Sequence, residues 1–308
     1  MRGVLLGPQQ LRQSLGTAVE LLGREGPVAL ITCGWQERED QDEELSALFG
    51  RETRNLTLYA RGEEVLAEDR EFFNAHRARQ DQLRQIQEFY RLRLERVFDA
   101  ALDIDRKAQG SDIAADELRL SFEQIRRLDQ EHLERVTALR EAWELQMKPL
   151  ERPSIARHRK ALTALLRECR LLAISGGHVA VMLNRLRMFG LVELLTDQSL
   201  IAWSGGAMVT GGRVVLFHES PPEGVGISEV LDAGLQLHDG VLPLPNPKLR
   251  LKLDNAFRVG WMSRRHAPLQ CVALDQGELV SFEDGRWFGA EGTVRLNPDG
   301  TLTTGWAS

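Results

Sequence analysis

The stretch that most constrains the fold runs from Leu200 to Gly211, Leu-Ile-Ala-Trp-Ser-Gly-Gly-Ala-Met-Val-Thr-Gly. The apolar run Leu200 to Trp203 suits a strand buried on both faces. A corner of small residues follows at Ser204-Gly205-Gly206, and the residues after it suit the start of a helix. A strand that turns this sharply into a helix belongs to an α/β architecture, in which parallel strands are joined by helices. Such a corner lifts the Ser204 hydroxyl above the sheet as a nucleophile elbow does, because small neighbours let the backbone fold back without a clash. The run Ala202-Trp203-Ser204-Gly205-Gly206 is the pattern Gly-x-Ser-x-Gly with alanine in the first place. A serine capping an ordinary helix after a strand has the same local look, so the corner takes its meaning from its surroundings.

Those surroundings are those of a soluble globular chain. The 308 residues, 43% hydrophobic and 27% charged, suffice for one large domain or two smaller ones with a sizeable core. A net charge of −6 argues against nucleic acid or an anionic membrane as the main partner. No apolar stretch approaches the ~20 residues needed to cross a bilayer. The stretch Met1 to Pro8 is too short and broken for a signal peptide, so a cytoplasmic protein is expected. Cys33, Cys169 and Cys271 lie far apart with no CxxC, which fits buried apolar roles in a reducing compartment better than a disulfide framework or a zinc site. No Asp, His or Cys cluster has ligand spacing, and neither a metal nor an organic cofactor is expected.

Taken in order, the chain predicts a helix from Leu11 to Gly23 and little else before it, then a buried strand over Pro27–Thr32 that ends at Cys33-Gly34. An acidic run, Glu37 to Glu44, leads into a helix through Leu45 and Leu48, and Arg54–Tyr59 reads as a second strand. Strand, helix and strand at this spacing predict a parallel sheet. From Gly62 to Lys148 the composition changes, with Gly110 the only later glycine and no proline. Apolar residues recur three and four apart at Leu83, Ile86, Tyr90, Leu94 and Val97, and again at Leu118, Phe122 and Ile125. Two long amphipathic helices follow, joined near Gln109–Asp112 with Ser111 or Asp112 as N-cap. Their charged faces mix both signs, as on a solvated antiparallel hairpin rather than a basic binding surface. The organisation expected is an α/β domain made of 1–61 and 149–308, with 62–148 inserted as a helical hairpin. An insertion of that size offers a surface for a homodimer, a protein partner or a lid. The α/β pattern resumes with a helix over Ile155–Glu168 and a strand over Arg170–Ile174. That strand runs into Ser175-Gly176-Gly177-His178 and an amphipathic helix ending at Gly190. Beyond the serine corner, extended pieces are expected at Arg213–Phe217, Gly234–Leu237, Val241–Leu244 and Cys271–Leu274, with a helix over Asp254–Arg265. Turns at Asp284-Gly285 and Asp299-Gly300 predict C-terminal β-hairpins.

A serine nucleophile needs a base, an acid to orient it and two donors for the oxyanion. The backbone N–H of Gly205 supplies one candidate donor and the Gly176-Gly177 pair the other, because both corners leave the carboxyl ends of neighbouring strands. A tight strand-to-helix turn accounts for Gly176-Gly177 equally well, and the two readings are compatible.

Three segments together, Ser175-Gly176-Gly177-His178, Ala202-Trp203-Ser204-Gly205-Gly206-Ala207 and Phe217-His218-Glu219-Ser220-Pro221, resemble the serine peptidases of the dipeptidase E and cyanophycinase family. The resemblance covers roughly 27–60 and 150–285 and leaves the helical hairpin outside. It implies the class I glutamine amidotransferase-like fold, a flavodoxin-like doubly wound, mostly parallel sheet. It also implies Ser204 as nucleophile, Glu219 as the acidic triad member and an acyl-enzyme mechanism on a peptide or small amide substrate. The family elbow is usually Trp-Ser-Ala-Gly-Ala, so only Gly205 departs from it. The family histidine falls in the segment Leu242-Pro243-Leu244-Pro245-Asn246-Pro247, where Asn246 stands instead. Asparagine has no basic nitrogen, and loss of a triad member costs several orders of magnitude in rate. His178, at the start of the helix beside the proposed oxyanion loop, is the foremost substitute base, ahead of His218, His238 and His266. Two functions follow as expectations: a serine-type peptidase or amide hydrolase, and a catalytically inactive family member that binds or scaffolds through the helical hairpin. An amidotransferase would need cysteine where Ser204 stands.

Overall fold

The computed structural model describes residues 1–23, 25–107, 111–217, 227–290 and 292–306. Its centre is a seven-stranded sheet in the order 286–289, 279–283, 2–6, 199–203, 171–174, 28–31, 53–55. The five strands from Arg2–Leu6 to Thr53–Asn55 run parallel, and Leu279–Glu283 and Arg286–Gly289 add an antiparallel edge. Val28–Ile31, Leu171–Ile174 and Ser199–Trp203 are buried at every position. Parallel strands covered on both faces require this. Leu5, Ile31, Ile174, Leu200 and Ala202 face a core shared with Leu162, Met182 and Leu186. Val4, Leu6, Leu30, Ile201 and Trp203 face the opposite core, against Leu15, Val19, Leu22 and Phe49. The register aligns Ile31 with Ile174, Ile174 with Ala202 and Ala202 with Leu5, so these strands end level along one edge.

The short strand Arg2–Leu6 is the main element that sequence reading passes over, and it holds a central place between Ser199–Trp203 and Leu279–Glu283. The first helix is shorter than expected, Leu15–Leu22. Ahead of it the Gln276 side chain accepts from the N–H groups of Leu11 and Arg12 at 2.6 and 3.2 Å, which holds them in a loop. The expected strand Arg54–Tyr59 stops at Asn55, and a helix over Leu58–Glu68 replaces its second half. The reason is a buried carboxylate: Glu39 accepts from the N–H groups of Tyr59 and Ala60 at 2.9 and 3.0 Å and so satisfies the helix start. Gly234–Leu237 forms no strand; its N–H groups bond instead to the carbonyls of Val209, Thr210, Gly211 and Gly212, and the strand lies earlier, at Glu229–Ala233. The C-terminal turns do close hairpins, Leu279–Glu283 with Arg286–Gly289 and Val294–Leu296 with Leu302–Thr304. The latter hairpin joins Gln270–Leu274 and Val241–Pro245 in a separate four-stranded sheet.

Two long helices, Arg70–Lys107 and Asp112–Met147, pack antiparallel, Phe72 meeting Trp143 and Tyr90 stacking on His132 with centroids 4.1 Å apart. Ser111 caps the second helix through Ala114 N–H, while the expected joint at Gln109-Gly110 lies outside the described residues. No helix among the described residues is long and apolar enough to cross a membrane.

A buried ion pair fastens these helices to the rest. Asp129, fully buried, accepts from Arg265 Nε and Nη2 at 2.8 Å each, and Tyr90 donates to the same carboxylate at 2.7 Å. Burial alone would push the Asp129 carboxyl up, but the Arg265 charge and hydrogen bonds outweigh it and hold the group below its ordinary value. Removing one partner strands the other charge in the interior, so Asp129→Ala is expected to cost about 3–5 kcal/mol of unfolding free energy in urea titrations. The paired change Asp129→Leu with Arg265→Met is expected to cost less than the single one.

His266, next to that arginine, is fully buried with both ring nitrogens unpartnered, and burial, then the Arg265 charge, push it down to about 3 from 6.5. The unfolded chain takes up this proton near pH 6.5 and the folded chain only near pH 3, so this contribution is full above pH 6.5 and drains away below it. Melting temperatures of the wild type and His266→Met are expected to diverge as pH falls from 6.5 towards 4, with the wild type losing ground.

Candidate functional site

Ser204 sits where the strand Ser199–Trp203 ends and the helix Gly205–Thr210 begins, with φ +54° and ψ −124°. A non-glycine residue holds this region only under strain. The strain is held by its neighbours. Ser204 N–H donates to the Leu6 carbonyl at 3.2 Å, while its own carbonyl accepts from Met208 N–H at 3.3 Å and starts the helix. A Cβ at Gly206 would lie 2.3 Å from the Ile174 carbonyl oxygen, so only glycine lets the helix approach that strand end.

The neighbouring corner reaches the serine directly. A Cβ on Gly176 would lie 2.9 Å from Ser204 Cβ, 3.2 Å from Oγ and 3.6 Å from Gly205 N, and one on Gly205 would meet the Gly177 carbonyl oxygen at 2.9 Å. Gly177, at φ +128°, is wedged against Gly34, whose carbonyl oxygen would be 2.4 Å from a Cβ there. Ser204, Gly176, Gly177 and Gly205 are thus brought together at one point. Ser204 and both glycines of the first corner open into a cleft of about 880 Å³. Trp35, Trp203, Gln9, Gln13, Glu43 and Glu44 line it further. Its only charged lining residues among those described are the two glutamates.

The other candidates lie elsewhere. His178 is exposed, its N–H donates to the Gly34 carbonyl at 2.8 Å, and its Nδ1 accepts from Val181 N–H at 3.3 Å, capping the helix Val179–Met188. Asn246 ends the strand Val241–Pro245 in the four-stranded sheet, in a left-handed turn at φ +56°, its N–H on the Leu274 carbonyl. It is not on the cleft lining, although Leu274 and Asp275 pack against Gly7, next to Leu6. Glu219 and His218 lie outside the described residues. His238 is at the far end of the serine helix, where Nε2 is 3.0 Å from Thr210 Oγ1 and burial pushes it down to about 4. No histidine among the described residues lines the cleft.

Sequence reading missed one wall of this cleft. That wall carries Trp35, Gln41, Glu43 and Glu44; Gln36, beside Trp35 but not on the lining, has nearly the same backbone as Ser204, φ +60° and ψ −124°. The repeated signal was a strand running into a glycine, Ile31-Thr32-Cys33-Gly34 beside Ile174-Ser175-Gly176-Gly177.

No protein-family model and no curated protein matches the sequence. Among solved structures, a peptidase from an acI-B1 actinobacterium is similar over 99% of this chain and 97% of its own, with a TM-score of 0.45 and 13% sequence identity.

Strain at Ser204 predicts a measurable trade. Glycine adopts φ +54° freely, so Ser204→Gly is expected to raise unfolding free energy by about 1 kcal/mol over Ser204→Ala, which keeps the strain. Equal or lower stability of the glycine variant in denaturant titrations would contradict the strain.

Proposed function

We propose that the protein is a serine-type peptidase or amide hydrolase in which Ser204 is the nucleophile of an acyl-enzyme mechanism. The observation that carries this reading is the Ser204 backbone at φ +54° and ψ −124°, with Oγ 3.2 Å from where a Gly176 Cβ would stand. A strained turn that presents a hydroxyl at a glycine-lined cleft is the geometry of a nucleophile elbow. The backbone N–H groups of Gly205 and of the Gly176-Gly177 corner are the oxyanion donors in this reading. From residue 28 onward the parallel strands follow the order 53–55, 28–31, 171–174, 199–203, as in the first four strands of a flavodoxin-like sheet. This supports assignment to the class I glutamine amidotransferase-like fold and the dipeptidase E and cyanophycinase family, with Arg2–Leu6 in the fifth place. Glu219 remains the proposed acid.

One observation favours a second reading, a family member without catalysis that binds partners through 62–148. The cleft has no histidine among the described residues, and Asn246 cannot take a proton. A fluorophosphonate probe separates the two. The hydrolase reading expects covalent labelling of the wild type at Ser204 and none of Ser204→Ala. An unlabelled wild type, together with an Asn246→His variant that gains labelling and at least about tenfold in amide hydrolysis, selects the second reading.

A further inference from the structure

A second cavity, of about 390 Å³, lies between the first long helix and the helix Ala256–His266 and shares no lining residue with the Ser204 cleft. Its walls are apolar and aromatic: Phe98 and Leu102 come from the long helix, Phe257, Trp261 and Met262 from the other. Trp261 is the centrepiece, with ring centroids of Phe98, Phe122 and Phe257 at 4.8, 4.8 and 5.1 Å. A volume of this size and composition suits a small organic ligand.

The polar groups on its wall are unevenly matched. Arg250 lines the cavity half-buried, and has no hydrogen bond or ion pair to any described residue. Burial holds its guanidinium below the ordinary value, with no carboxylate among the described residues offsetting it. Trp261 Nε1 is a buried donor without a partner. Arg265, on the floor, is already saturated by Asp129, Tyr90 and Ser228. Asp99, the sole acid on the lining among the described residues, is largely exposed and 4.0 Å from Arg96. A cation and an N–H beside an aromatic wall thus lack a partner among the described residues, the lining acid Asp99 being largely exposed and near Arg96.

We propose that this cavity is a binding site for a small monoanionic molecule with an aromatic or alkyl body, its carboxylate held by Arg250 and its body against Phe98, Phe257 and Trp261. A guanidinium–carboxylate contact in a partly desolvated site is strong and oriented, whereas a neutral analogue would leave Arg250 unpaired.

Isothermal titration of the full chain with 2-naphthylacetate, octanoate and the neutral 2-(2-naphthyl)ethanol tests this. At least one carboxylate is expected to bind with one-to-one stoichiometry, and the alcohol about tenfold or more weaker than naphthylacetate. Arg250→Gln is expected to bring naphthylacetate down to the level of the alcohol, while Ser204→Ala leaves both unchanged. Arg250 is partly exposed on a four-residue helix, so its removal spares the core; an unchanged melting temperature verifies this. Phe257→Asp, which sets a negative charge on the exposed Phe257 position, should independently weaken both carboxylates. The proposal is overturned if neither carboxylate binds at millimolar concentration, if the alcohol binds as well as naphthylacetate, or if both Arg250→Gln and Phe257→Asp leave carboxylate affinity intact.

Discussion

The arrangement rests on how closely backbones approach one another where the parallel strands end. Gly34, Gly177, Gly176, Ser204 and Gly206 come from three consecutive places in the sheet and touch without side chains between them. A methyl group at Gly206 or Gly177 would collide with carbonyl oxygens of adjacent strand ends, so the spacing of the corners is set by the main chain itself. Main-chain contacts of this kind cannot be relieved by a change of side-chain rotamer. That rigidity keeps Ser204 in a conformation that L-residues otherwise avoid, and it keeps Gly176 against its hydroxyl.

Much of this frame is legible in the residues. Buried strands such as Val28–Ile31 and Leu171–Ile174 are short apolar runs closed by glycine, and the long helices announce themselves through apolar spacing and the absence of proline. What escapes is set by distant partners. Arg2–Leu6 is brief and includes Gly3, whose missing side chain is needed because a Cβ there would press on Phe282 at 2.6 Å. Nothing local shows that Phe282 will be its neighbour. Tyr59 belongs by composition to a strand, yet Glu39, twenty residues earlier, supplies the carboxylate that starts a helix there. Of the site, the serine and its glycines are readable because backbone geometry demands those residue types, whereas the Trp35 and Glu43 wall looks like an ordinary acidic turn.

The charge distribution gives the two cavities opposite characters. The cleft at Ser204 carries carboxylates and amides, while the cavity at Trp261 carries an unpartnered guanidinium. Between them the long helices are fixed at both levels, by Arg140 and Arg187 on Asp232 near the sheet and by Asp129 on Arg265 further out. The long helices are thus tied to the rest of the molecule at two separate points along their length.

The place of Arg2–Leu6 has a consequence for how the chain reaches its native state. Arg2–Leu6 pairs with strands that lie roughly 200 and 280 positions further along the chain, at 199–203 and 279–283. Asp129 likewise waits for a partner 136 residues downstream. Contacts so remote along the chain bring their reward only after most of the loop-closure entropy has been spent, which favours slow formation of the central sheet and of this ion pair.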